Sequence, residues 1–516
     1  MPRARTSGLA VIALLGALLS ASAAPLTDVG RLAAIYDLIL DARFTEAGAE
    51  LVRACPPAPT VACQLLDVTS LWWRIQLDPD STALDSTFST RVDAAIAAAE
   101  AWTEEEPSRA DAWFYLGAAY GARVQWRVLR VERLAAARDG KRIKDSLDHA
   151  LALDPQMADA RFGLGLYKYY ADIAPAIAKF LRVLLFLPGG DRREGLNDMV
   201  AAQEHGALVR GEAEYQLHWI YFWYERQPER GLALLQQLQS RYPHNPLFPQ
   251  RIAEVQVEYF HDPSASLAVW QALADAAEAG RVGEAALTLA RARLGAAEQL
   301  DALYETDRAL TLASAVAASN PAAPLGAAAR AQLLVGLFED RLGHHDRALA
   351  AYRAALAATP SSTSEVATRA REGLRRTPDP LRGDAYRVSL EGWRALEQRD
   401  VGAARRLLDR AVALAPQDPV IQYRRGCVSV AEQRPDEALE SFGRVIASHP
   451  AAPPVFVARA YLDRGLLLEA RHDETGAIDA WRSAAHVFGA DAATRARAQR
   501  AIARVTTRDR SIVPPR

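Results

Sequence analysis

One spacing returns along most of this chain, and it decides what the chain can fold into. In "AWFYLGAAYG", Trp113, Leu116, Gly117 and Tyr120 lie on one face of a helix, with a glycine among the large side chains. About 34 residues further on, a similar set recurs, and Pro closes most units. Residues 158–206 hold Leu164-Gly165 and Gly195-Leu196, residues 212–245 end in "RYPHNP", and residues 246–279 place Ala265 and Ala272 at the small positions. Residues 290–323 carry Ala309 and Pro321, and residues 329–362 carry Gly336, Gly343, Ala348, Tyr352, Ala355 and Pro360. Residues 385–418, 419–452 and 458–491 place Gly392, Gly426 and Gly465 on the first helix, with Ala404, Phe442 and Trp481 on the second. A small residue lets two helices approach closely, a large one fills the hole beside it, and Pro ends the second helix. A single pair cannot bury its apolar face, so neighbouring pairs must stack. The expected fold is therefore all-α, a solenoid of stacked antiparallel helix pairs.

This W-x2-L-G-x2-Y spacing, with Ala and Pro at the set positions of the second helix, resembles the tetratricopeptide repeat family over roughly residues 90–491. The resemblance implies a right-handed superhelix whose concave groove is lined by positions 2, 5, 9, 12 and 13 of each first helix. In the first clear unit these are Asp111, Phe114, Ala118, Gly121 and Ala122; in the next, Asp159, Phe162, Leu166, Tyr169 and Tyr170. In the unit after that they are Ala213, Gln216, Ile220, Trp223 and Tyr224. The groove candidates for a protein partner are thus Phe114, Phe162, Tyr169, Tyr170, Trp223 and Tyr224, aromatic anchors of which several carry polar tips. They either meet a partner or are covered as core. The Lys and Asn pairs with which some family members clamp acidic peptide tails are missing from these positions.

The organisation that follows has five parts. Residues 1–23 read as a secretory signal: Arg3 and Arg5, an apolar run from Leu9 to Leu19, then "ASA". An uncleaved anchor helix is the competing reading. Residues 26–106 read as a divergent helical cap starting at Thr27 or Asp28. Residues 107–279 hold N-terminal repeats with insertions near 122–143 and 172–190, residues 280–491 hold the C-terminal repeats, and residues 492–516 form a last helix and tail. Export, with the Ala- and Arg-rich usage of a bacterial chain, points to the periplasm. There Cys55 and Cys63, flanking "CPPAPTVAC", could close a disulfide loop; otherwise they are two small buried hydrophobes.

The second insertion, "PAIAKFLRVLLFLPGG", is the most apolar stretch after the signal. Ile177, Phe180, Leu181, Leu184 and Leu185 form its apolar side, while Lys179 and Arg182 share the other. It is too short to span a bilayer. It can plug the solenoid, lie on a membrane surface, or dock on a partner. With the run that follows (Gly190, Asp191, Arg192, Gly195, Leu196), it resembles a short region of a tetratricopeptide-type group linked to inclusion-body clearance and lipid droplets. That resemblance covers about 35 residues and implies a shared structural device. Asp191 is the expected N-cap of the next helix, with Glu194 completing a capping box. No strand precedes the Pro-Gly-Gly turn and Asp191 would repel phosphate, which excludes a phosphate loop.

A formal charge of −2 over 516 residues leaves no basic field for nucleic acid. No hydrolase, zinc-protease, dithiol or nucleotide-binding pattern occurs. His344 and His345 read as solvated turn residues without further metal ligands. The sequence therefore points to a protein-binding scaffold of the cell envelope, with no enzyme activity, metal or cofactor. Peripheral membrane contact through residues 175–187 is the alternative.

Overall fold

The computed structural model describes residues 26–173, 189–359 and 361–512, with side chains as far as Thr506. The expected signal at 1–23 and the apolar run with Ile177, Phe180, Leu181, Leu184 and Leu185 lie outside the described residues. Among the described residues there are 24 helices and no strand. They stack as antiparallel pairs in an α-solenoid.

The pairs close on the glycines that the repeat spacing marks. A Cβ on Gly336 would fall 2.5 Å from the Tyr352 ring, one on Gly426 2.5 Å from Phe442, and one on Gly465 2.3 Å from Trp481. Each ring occupies the space that a side chain on the facing helix would need. The turn within eight of the repeat pairs passes through one left-handed residue: Val131, Arg226, His261, Tyr304, Gly343, Arg399, Gln433 and His472 take this place. Only one of these eight is Gly, although left-handed backbone costs other residues about 1–2 kcal/mol. The tight packing of the two helices sets this turn. Asp side chains then cap many of the helices, as Asp262, Asp379, Asp400, Asp418 and Asp473 do. Asp191 caps Arg192–His205 by accepting from the Glu194 N–H at 2.8 Å, while the Glu194 carboxylate goes to Lys168 instead of returning to the cap.

Three features differ from the sequence reading. The extra residues near 122–143 form no separate insertion; they lengthen both helices of the pair, Ala110–Leu129 and Arg133–Leu153. A helix at Glu365–Arg375 interrupts the pairing and lays Gly373 on the second face of Tyr352. Asp28 takes a left-handed backbone and makes no side-chain cap, because Thr27 is held elsewhere, by the Asp111 carboxylate.

The four helices of residues 26–106 (Val29–Leu40, Phe44–Ala54, Thr60–Leu77 and Asp85–Glu105) do more than cap the first repeat. They reach across to units far along the chain. The Tyr36 hydroxyl donates to Glu212, the Tyr242 hydroxyl to Asp37, and the Asn245 amide to the Leu40 carbonyl. Trp73 is fully buried, its ring 5.0 Å from Tyr215 and 5.9 Å from Phe248. Further on, the Leu325 N–H donates to Asp78. The helix Thr60–Leu77 is apolar nearly all round, which is the composition of a helix packed on several sides. One continuous core therefore joins residues 26–99 to residues 202–248, whereas the C-terminal pairs have small separate cores. Cys55 and Cys63 are disulfide-bonded, with Cα atoms 6.4 Å apart, and tie the end of the second helix of this arm to the first turn of the third.

Candidate functional site

A cavity of about 1150 Å³ lies where the N-terminal arm crosses the repeats. First helices of three successive units build one wall. Phe114, Ala118, Gly121 and Ala122 come from Ala110–Leu129; Asp159, Phe162, Leu166 and Tyr170 from Ala158–Ile173; Gln216 and Tyr224 from the unit that begins with Arg210–Trp223. They occupy register positions named above, whereas Asp111, Tyr169, Ala213, Ile220 and Trp223, at other such positions, do not line the cavity. The opposite wall was not read from the sequence. Leu32 and Tyr36 of the first helix, and Leu65, Leu66, Thr69 and Trp72 of the third, close what would otherwise be an open groove.

The lining is mostly aliphatic and aromatic, and its few polar groups are confined. The buried Glu212 carboxylate accepts from the Tyr36 hydroxyl and from the Gln216 amide, each at 3.1 Å. Burial outweighs these hydrogen bonds and holds its pKa above the ordinary carboxylate value. Asp159 is also buried, and it accepts the backbone N–H groups of Ala207, Leu208 and Val209 at 2.7–3.0 Å. It thereby fixes the entry to Arg210–Trp223. Two wall donors, the Tyr115 hydroxyl and the Trp72 indole N–H, are buried without a hydrogen-bond partner.

The six groove candidates separate by exposure. Phe114 and Tyr169 are buried, and Tyr169 donates from its hydroxyl to Glu225, which Arg192 also contacts. Phe162 is half-buried on the cavity wall. Tyr170, Trp223 and Tyr224 remain exposed, at 38%, 41% and 44%. Tyr170 and Tyr224 meet edge to face at 5.8 Å on the cavity rim, and Trp223 lies against Trp219 and Tyr259. Val128 and Leu134 extend the apolar rim, at 62% and 56% exposure.

Elsewhere the polar clusters are structural. His344 and His345 are half-buried at their turn: each Nδ1 pairs with its own carboxylate, Glu339 at 2.6 Å and Asp340 at 3.0 Å, which tie the turn to the preceding helix. His218 is buried, and burial pushes its pKa down to about 3, so the ring is neutral. Among the described residues no group of three or more His, Cys, Asp or Glu could hold a metal ion. No described helix is long and apolar enough to cross a membrane.

Sequence comparison supports the repeat reading at the C-terminal end. Residues 389–453 and 423–496 match the tetratricopeptide repeat. Gly426, which faces Phe442, lies in both segments, and Gly465, which faces Trp481, lies in the second. No curated protein matches the chain. Solved structures similar to it include YrrB, a TPR protein with an unusual peptide-binding site, at 19% identity and a TM-score of 0.21, over 40% of this chain and 91% of that one. A tetratricopeptide repeat protein from Parabacteroides merdae is similar at 16% identity and a TM-score of 0.25, over 56% and 98% of the two chains. A Rap protein complexed with competence and sporulation factor is similar at 13% identity and a TM-score of 0.30, over 82% and 98%. Likeness at this level says nothing about a partner for this chain.

Proposed function

We propose that the chain is a non-enzymatic protein-binding scaffold of the cell envelope. It presents the aromatic rim of its concave side, Tyr170, Trp223 and Tyr224, to a protein partner. The exposure of these three large side chains, on helices held rigid by packing, carries the reading. Aromatic residues with little rotamer freedom make effective binding anchors. Phe114 and Tyr169 support the rim from beneath, and Phe162 lines the cavity below it. Export rests on the sequence of residues 1–23, and the periplasm follows from it for a bacterial host.

A crosslinked pull-down from the envelope tests the reading, comparing wild type with Tyr170→Ala/Trp223→Ala/Tyr224→Ala. Tyr169 is left intact because its hydroxyl bond to Glu225 is structural. A protein recovered with wild type and lost with a variant of unchanged circular dichroism fits the proposal, and equal recovery refutes it. The mass of the purified chain tests cleavage of the signal, which removes residues 1–23, and fractionation of the host tests export. Peripheral membrane contact through residues 175–187 is a second reading, carried by the apolar sequence of that run. It requires the chain to sediment with lipid vesicles and Leu181→Asp/Leu184→Asp to abolish this.

A further inference from the structure

The cavity itself has no role in that scaffold reading, yet its chemistry is specific. Its walls are built from Leu65, Leu66, Trp72, Phe114, Phe162 and Leu166, among others, and its volume is about 1150 Å³. Pockets for small organic ligands are typically about 300–1,000 Å³, apolar, with a few placed polar groups. Water suits it badly, because a buried water needs two to four polar partners and an apolar cavity tends to stay dry. The polar groups it does offer are few. The Glu212 carboxylate is already engaged by Tyr36 and Gln216. The Tyr115 hydroxyl and the Trp72 N–H have no hydrogen-bond partner, but both atoms are sealed from the chamber by the packing around them. At the mouth stand exposed apolar residues, Val128, Leu134, Tyr170 and Tyr224, together with the exposed Arg133.

We propose that this cavity binds the long acyl chain of an anionic amphiphile. The hydrocarbon fills the chamber between the N-terminal arm and the repeats. The anionic head stays at the mouth beside Arg133. A free fatty acid and an acyl phospholipid share this chemistry. The inference stands apart from the partner-binding rim, although Tyr170 and Tyr224 belong to both.

Gly121 provides a clean probe. It lines the cavity, and a Cβ there would meet nothing within 4 Å. Gly121→Leu therefore fills the chamber while leaving the rim intact, and Leu is the better helix former. The full chain, purified without detergent, is titrated with cis-parinaric acid, a fluorescent polyene fatty acid. The expected result is saturable binding of one probe per chain. Gly121→Leu should weaken it about tenfold or more, as expected when a pocket loses room for its ligand, with no fall in thermal midpoint. Arg133→Gln should weaken the acid and leave the corresponding alcohol unaffected. Native mass spectrometry of the chain from its host should retain an added mass. A fatty-acid mass and a phospholipid mass both support the proposal, and they tell the two sources apart. No saturable binding, or equal binding by folded Gly121→Leu, would overturn it. So would binding seen only with Leu181→Asp/Leu184→Asp, since that would assign the chamber to the chain's own residues 174–188.

Discussion

Trp73→Ala should uncouple the two halves of the molecule. Trp73 lies on Thr60–Leu77, yet its ring packs against Tyr215 and Phe248, more than 140 positions further along the chain. It is fully buried, so truncation removes the indole and leaves a cavity that aromatic neighbours cannot easily fill. Trp→Ala changes in cores cost about 3–5 kcal/mol. That is a large share of the roughly 5–15 kcal/mol that holds a domain together. In a stacked array, however, each unit is stabilised mainly by its neighbours, so the loss should stay local. Urea denaturation followed by circular dichroism, with limited proteolysis and mass mapping at each step, reads this out. At a slope of about 2 kcal/mol per molar urea, the transition of residues 26–250 should move down by about 1.5–2.5 M. The transition of the C-terminal repeats should stay in place. Trp481→Ala is the matched control: Trp481 is equally buried but packs only within its own end of the chain, where it should act alone. A shift below about 0.5 M for Trp73→Ala, or one shared equally by both regions, would refute the claim that the N-terminal arm is built into the repeats it crosses.

Three further outcomes follow from named contacts. Glu212→Gln should change the pH dependence of stability. Burial holds the folded Glu212 pKa above the ordinary carboxylate value, so the wild-type contribution is intact below that value and is lost as pH rises through the folded one. The neutral variant lacks this loss, so its thermal midpoint should equal wild type near pH 4 and exceed it at pH 8. The opposite slope would contradict the assignment. Gly465→Ala should destabilise by about 1–3 kcal/mol through overpacking, because its Cβ would sit 2.3 Å from Trp481; chemical denaturation measures this, and Gly443→Ala, at an open position within a helix, is the control and should stabilise by about 0.5–1 kcal/mol. Asp159→Ala leaves three backbone N–H groups without their acceptor and should cost about 2–4 kcal/mol, given 1–3 for each buried group left unpaired and some rescue by water; hydrogen exchange should accelerate at Leu208 and Val209.

The repeat was the legible part. The spacing that pairs a glycine on one helix with a ring on the next is local chemistry, repeated, and Gly336, Gly426 and Gly465 sit against the rings the pattern calls for. The register also named a set of first-helix positions, of which Phe114, Phe162, Tyr170 and Tyr224 line the cavity while Tyr169 and Trp223 do not. The closing wall could not be read in the same way. No periodic rule says that Tyr36 meets Glu212 or that Trp73 meets Phe248, since these contacts depend on the curvature accumulated over several pairs. A signal was present: Thr60–Leu77 carries apolar residues on almost every face, more than one neighbouring helix would cover. Glu365–Arg375 was missed for a similar reason. It has an N-cap at Ser364 and small buried residues at Ala367, Ala370 and Gly373, but it stands outside the repeat length that organised the reading. The exposed rim at Tyr170, Trp223 and Tyr224 and the buried Phe114 and Tyr169 fall at equivalent register positions. Only the packing around them separates the two kinds.

Native-state hydrogen exchange on the wild-type chain tests the central claim most directly. If the N-terminal arm closes the concave side, the amides of Thr60–Leu77 and Arg210–Trp223 exchange slowly and open together as one unit, while Val401–Leu414 and Pro435–Ala447 open separately. Fast exchange throughout Thr60–Leu77, with Arg210–Trp223 still protected, would mean that the arm does not close the groove and that the cavity is an open face.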